Sequence, residues 1–215
     1  MKGIILKDLY ENFYIKKNLA SYIFGALFIG LAMIFINTYY TFILYTMFLS
    51  IIFGSAPLEA PCEQDEKANF GKLQITFPLT KAEIVLSKYL LSLICTGISL
   101  LISLIYALAN VYFWRLVTLR EALTVWGLSI CGSLVFTSVV YVCYFLLGKK
   151  IGTFIYVATA VILAGLYGSS TVLFGIESYT SMDTTVRLWF FLPASVVIFV
   201  LSCLLSIQIY KKNFS

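Results

Sequence analysis

Apolar residues run through the chain in long unbroken stretches, and polar residues gather between them. Six stretches read as membrane spans: Leu19–Ile36, Tyr39–Pro57, Ile84–Phe113, Leu123–Leu147, Ile151–Gly175 and Leu188–Tyr210. A helix rises ~1.5 Å per residue, so ~18 residues reach ~27 Å, close to the ~30 Å hydrocarbon core. Ile84–Phe113 exceeds that length and must tilt or protrude. The first two spans form a tight hairpin around Asn37–Thr38, and a re-entrant pair is the alternative to two full crossings. Ahead of them, residues 2–17 place Ile5, Leu9 and Phe13 four apart, with Leu6, Tyr10 and Tyr14 beside them. Lys2, Lys7, Asp8, Glu11 and Lys16 take the other positions. That pattern predicts an amphipathic helix on the inner membrane surface, serving as an anchor or as a gate.

Composition supports the same class. Of 215 residues, 61% are hydrophobic and 12% charged, and the mean hydropathy is +0.96. A soluble domain of this size cannot hide so much apolar surface, whereas a bilayer solvates it. The expected architecture is an all-α integral membrane protein, with residues 1–215 forming one transmembrane domain. No signal peptide is expected at its start.

Charge sets the orientation. With the N-terminus inside, the inner segments hold Lys2, Lys7, Lys16, Lys17, Lys67, Lys72, Lys81, Lys88, Lys149, Lys150, Lys211 and Lys212. Outer loops keep Arg115, Arg120 and Arg187, so the bias is twelve against three. This predicts six spans with both termini in the cytoplasm. No nucleic-acid partner is expected.

Several chemistries find no residues to carry them. The sequence has no histidine, and Cys62, Cys95, Cys131, Cys143 and Cys203 are scattered without metal-ligand spacing. No phosphate-binding loop occurs, because Gly71-Lys72 and Gly148-Lys149 lack the earlier glycine and the final hydroxyl residue. Carboxylates and basic groups are missing between Leu19 and Pro57, Ser92 and Phe113, Val125 and Leu147, Ile151 and Gly175, and Leu188 and Tyr210, which argues against an ion-coupled pump and against an intramembrane enzyme. A facilitative channel needs no such charge.

One connection is long. Residues 58–83 carry Glu59, Glu63, Asp65, Glu66, Lys67, Lys72, Lys81 and Glu83 on the inner side. Pro57 and Pro61 end the second span, since proline lacks the donor that a continuing helix needs. Glu63–Leu73 then suits a short helix with Gly71 as its weak point. After Pro78, Thr80 and Glu83 form a capping-box pattern that starts the third span near Lys81. The segment is either a rigid protrusion that transmits force or a solvated linker.

These residues carry a family resemblance. The stretch from Asp65 to Leu73, then Phe77-Pro78-Leu79-Thr80-Lys81, then Ile84-Val85-Leu86-Ser87-Lys88-Tyr89, resembles the ABC-2 type permeases. In particular it is similar to the small six-span permeases that export amphipathic peptides and bacteriocin-like toxins. Phe70-Gly71 departs from that pattern, because a bulkier residue commonly follows the aromatic.

The resemblance implies a type V exporter permease fold, with an interfacial N-terminal helix and a cytoplasmic coupling helix that docks on an ATPase. Carried over by position, Asp65, Glu66, Lys67, Asn69, Phe70, Lys72 and Leu73 become ATPase contacts, with Phe70 as the apolar anchor. Thr80 and Glu83 cap the following helix. The implied partners are a separate cytoplasmic ABC ATPase that supplies ATP and Mg, a second permease chain (identical or a paralogue) and membrane lipid. The implied location is the bacterial plasma membrane. The cargo would be an amphipathic or hydrophobic molecule, first a peptide toxin or antimicrobial. An accessory or immunity subunit that does not transport is the competing reading.

Finer features add detail. The run Gly165-Leu166-Tyr167-Gly168-Ser169-Ser170 suits close helix packing, within the chain or across a dimer, before a cargo-lining face. Pro193 is expected to kink or restart the sixth span. Tyr39, Tyr40, Trp114, Trp126 and Trp189 read as interface anchors.

Overall fold

The computed structural model describes residues 2–36, 38–56, 61, 65, 80–175, 179 and 182–213. All regular structure among the described residues is helical. The helices are α1 (Lys2–Phe13), α2 (Lys16–Phe35), α3 (Tyr39–Ser55) and α4 (Lys81–Tyr112), followed by α5 (Leu119–Gly148) and α6 (Lys150–Phe174), and α7 (Met182–Asn213). By length and composition α4, α5, α6 and the Val186–Lys212 part of α7 can each cross a membrane. The apolar α3 is shorter, at 17 residues. The chain is a multi-pass membrane protein.

Short polar signals set where the helices begin. Thr80 precedes α4, and its Oγ1 accepts from the Glu83 backbone N–H at 3.3 Å. The Glu83 carboxylate accepts from the Thr80 N–H at 2.8 Å in return. The same exchange joins Thr118 and Glu121 ahead of α5, so α5 begins at Leu119, four residues before the sequence-predicted span at Leu123. Charged Arg120 and Glu121 made that first turn look like loop, yet charges are tolerated in the first turn of a helix and a carboxylate is favoured there. Thr38 and Thr41 box the start of α3 in like manner.

Packing sorts the helices into two poles. At one pole Ile4 of α1, Ile84 and Tyr89 of α4, Tyr144 of α5 and Tyr210 of α7 share a buried cluster. At the other, Phe42 of α3, Tyr106 of α4, and Val117 and Val125 form a second. The start of α1, the start of α4, the end of α5 and the end of α7 thus meet at one end, as an up-and-down bundle requires.

Between the poles the contacts are made by small residues. A Cβ on Gly54 would lie 2.4 Å from Thr96 Oγ1, so α3 and α4 touch almost backbone to backbone there. Ser87, Ser99, Ser103, Ser129, Ser133 and Ser202 are buried, and each hydroxyl bonds a carbonyl one turn back in its own helix. A buried hydroxyl satisfied this way leaves its face smooth for a neighbour, as small interhelical residues do in lipid.

Three expectations change. Of the kink or restart expected at Pro193, the restart does not occur, because α7 continues through it as one helix. Gly165 and Gly168 have no described residue within 4 Å of an added Cβ, so they make no close helix contact among the described residues. Tyr167 of the same run instead donates to the Tyr40 carbonyl at 2.8 Å. The Trp126 indole N–H reaches the Leu100 carbonyl at 3.0 Å, far inside α4. It pins α5 to α4 and is not an interface anchor.

Candidate functional site

The first pole holds a group of charges inside the protein. α1 turns Ile4, Asp8 and Asn12, spaced one turn apart, toward the bundle. Leu6, Tyr10 and Tyr14 stay exposed on its opposite side. Asp8 was expected on the polar outer face of α1, but it is 1% exposed. Its charge is met from α4, where the Lys88 ammonium lies 3.5 Å from Asp8 Oδ2 and 3.3 Å from Asp65 Oδ2. Lys7 pairs with the other oxygen of Asp65, lies 3.6 Å from Asp8 Oδ1 and 3.2 Å from Glu11 Oε2. Three segments distant in sequence, α1, the long connection and α4, are therefore tied through three carboxylates and two ammonium groups.

Neighbouring polar side chains hold α1 in place. Asn12 donates to the Asp8 carbonyl at 2.8 Å and accepts from the Tyr22 hydroxyl at 3.1 Å. Asn18 reaches back to the Glu11 carbonyl at 2.8 Å. These bonds span the break between α1 and α2 and brace the two helices as an elbow. Burial raises the Glu11 carboxyl above the usual range, and the nearby Lys7 offsets this only in part. Glu83 is shifted the other way, because the Thr80 backbone N–H and hydroxyl stabilise its anion.

The next residue along α4 continues the chain of contacts. The Tyr89 hydroxyl lies 2.9 Å from Ser206 Oγ and 3.2 Å from Ser202 Oγ of α7. Its ring packs edge-on against Tyr141 of α5 and Phe199 of α7, and the Tyr141 hydroxyl donates to the Lys88 carbonyl at 3.5 Å. Lys88 faces the ionic group and Tyr89 faces the last helix, so one turn of α4 links both.

Of the residues predicted to contact an ATPase, Asp65 lies in this ionic group. Glu66, Lys67, Asn69, Phe70, Lys72 and Leu73 lie outside the described residues, as does the predicted short helix. Lys7, Asp8 and Lys88 were not singled out as site residues. Two signals pointed to them: a lone lysine in an apolar run, and the Ile4, Asp8, Asn12 stripe.

A family model described as an ABC-2 family transporter protein matches residues 3–214. The chain belongs to the ABC-2 transporter family. No significant match was found among curated proteins or among solved structures. As an ABC-2 permease, the protein is a transmembrane subunit of an ABC transporter and works with an ABC ATPase subunit. Permeases of this family generally lack an ATPase domain of their own. The ionic group of this permease lies where the long connection meets α4.

A second feature of the permease is a cleft of about 420 Å³ between α3 and α6. Met47, Phe48, Leu163, Tyr167 and Phe174 line it. α6 leaves Val157, Val161, Leu166, Val172 and Leu173 more than half exposed. Metal-ligating clusters are absent among the described residues.

Proposed function

We propose that this permease exports an amphipathic or hydrophobic cargo, first of all a peptide toxin or antimicrobial, and that a separate ATPase drives it through the connection at residues 58–83. Two permease chains, identical or paralogous, pair with two ATPase subunits that hold ATP and Mg. The lysine-rich pole, where the chain begins and ends, faces the cytoplasm. Residues 63–73 form the coupling helix, with Phe70 seated in the ATPase and the flanking charges setting its orientation.

The observation that carries this reading is the seat of Asp65. An acidic residue of the coupling segment is gripped by Lys88 of α4 and Lys7 of α1. Displacement of the segment by a closing ATPase would pull on both, and α4 would pass it to α7 through Tyr89. A solvated linker has no need of a buried counter-charge, since placing ions out of water costs energy that only close pairing offsets. The apolar cleft between α3 and α6 supports a cargo with an apolar face.

Co-purification with the ATPase tests the reading. Phe70→Ala and Glu66→Lys should lose the ATPase while the permease still inserts. Wild-type yield of ATPase with both variants would overturn the docking role. ATPase association without cargo efflux in the wild type would point to an accessory or immunity subunit.

A further inference from the structure

α2 packs chiefly on α1, whereas α3 packs on α4 and on the α5–α6 hairpin. Between α2 and the α3–α4 pair lies a cavity of about 340 Å³. Phe13, Tyr22, Met33, Phe53, Ile98 and Ile102 give it apolar walls. Its polar lining atoms are already engaged: Ser99 Oγ donates to the Thr96 carbonyl at 2.9 Å, and the Tyr22 hydroxyl bonds Asn12. A buried water needs two to four polar partners, so this cavity does not suit water.

The geometry points to a bound anionic phospholipid: one acyl chain fills this cavity, and the headgroup rests on Lys16 and Lys17 at the start of α2. From Tyr22 to Met33 the wall is ~16 Å long at helical rise, about half the hydrocarbon core, as one leaflet's chain requires. Among the described residues nothing lies within 4 Å of a Cβ added to Gly30 in that wall, which leaves width for a chain. Phe13 and Tyr22, with ring centroids 5.4 Å apart, frame the end nearest the elbow. Lys16 and Lys17 lie between them in sequence and are exposed. Their charge complements a phosphate, and the inner leaflet supplies anionic lipid.

The site would wedge α2 against α3 and α4, completing the packing that α2 does not make itself. It rests on the reading that this pole is cytoplasmic, but not on coupling to the ATPase. The test therefore uses the purified full-length chain alone, with retained lipid measured by mass spectrometry and phosphatidylglycerol titrated against phosphatidylcholine. Wild type should retain phosphatidylglycerol through detergent exchange. Lys16→Gln with Lys17→Gln should weaken it ~30-fold with little change for phosphatidylcholine. Gly30→Phe should lose both lipids.

A phosphatidylglycerol carrying a photoreactive acyl chain guards against misfolded variants. Adducts on Met33, Cys95 or Ile98 of the wild type support the site. Adducts spread equally over the outward faces of α4, or retention unchanged in both variants, would show annular lipid only and overturn it. If Glu66→Lys keeps the ATPase while wild type keeps its lipid, the coupling reading falls and this one stands.

Discussion

The ammonium of Lys88 stands 3.5 Å from the carboxylate of Asp8, eighty residues away along the chain. Both side chains are almost fully withdrawn from solvent, at 7% and 1% exposure. Such a pair fixes the position of α1 on α4, because neither charge can leave the other without being stranded in a poor dielectric. Asp65 completes the arrangement from the third direction, so the long connection cannot shift without disturbing the elbow.

Lys88→Met should therefore cost about 3 kcal/mol, since it leaves Asp8, Glu11 and Asp65 to share Lys7 alone. The fall in unfolding midpoint of the purified protein in detergent reads this directly. Asp8→Asn in the same background should cost clearly less than its effect alone, because the charge it removes has already lost its partner. Strictly additive losses would show that the two residues are not coupled.

Much of the fold was legible because its signals are local. Apolar runs long enough to cross lipid, and the Thr80 and Glu83 spacing, depend on neighbours within a turn or a span. The Thr118 and Glu121 box was equally local, but Arg120 beside it made the segment look extramembrane and pushed the predicted start to Leu123. The Asp8 seat was of another kind. Lys7 and Glu11 on either side made it read as part of a polar face, and only the approach of α4 turns that face inward. Tertiary contact decided the matter, as it did for Trp126, whose indole meets a carbonyl from another helix.

Acid should affect two carboxyls in opposite senses. Burial raises Glu11 above its ordinary value of 4.5, so the folded protein holds a proton there that the unfolded chain releases. Its contribution to stability is a cost at neutral pH and improves as pH falls through the folded value, levelling off below 4.5. Glu83 is lowered from 4.5, so its contribution is present above that value and is lost only as pH falls beneath it. Glu11→Gln should flatten the unfolding midpoint between neutral pH and 4.5 while leaving the acid limb intact. A pH dependence unchanged by Glu11→Gln would contradict the burial of that carboxyl.

The turn between α5 and α6 offers a test of backbone strain free of crowding. Gly148 adopts φ 76° and ψ 177°, a region populated almost only by glycine. A Cβ there meets no described residue within 4 Å, so the cost of Gly148→Ala is conformational, about 1–3 kcal/mol. At Gly152 the Tyr144 ring lies 2.8 Å from an added Cβ, and its hydroxyl is held by Thr153 at 2.9 Å. Gly152→Ala should therefore be partly relieved by Tyr144→Ala, whereas Gly148→Ala should not. Thermal unfolding of the three single variants and the two double variants separates strain from clash.

Tyr89 is where α4 reaches the last helix, and its two roles can be separated. Tyr89→Phe keeps the ring between Tyr141 and Phe199 but deletes the hydroxyl shared by Ser202 and Ser206. Interhelical hydrogen bonds in membranes contribute about 0.6–2 kcal/mol, so the fold should survive. If motion passes from α4 to α7 through this hydroxyl, efflux should drop severalfold while ATPase binding and basal hydrolysis persist. Ser202→Ala with Ser206→Ala should reproduce that split, because it removes the same bonds from the other side. Efflux that declines only in step with the amount of folded protein would reduce Tyr89 to a packing residue, and α7 would then have to follow α4 by some other contact.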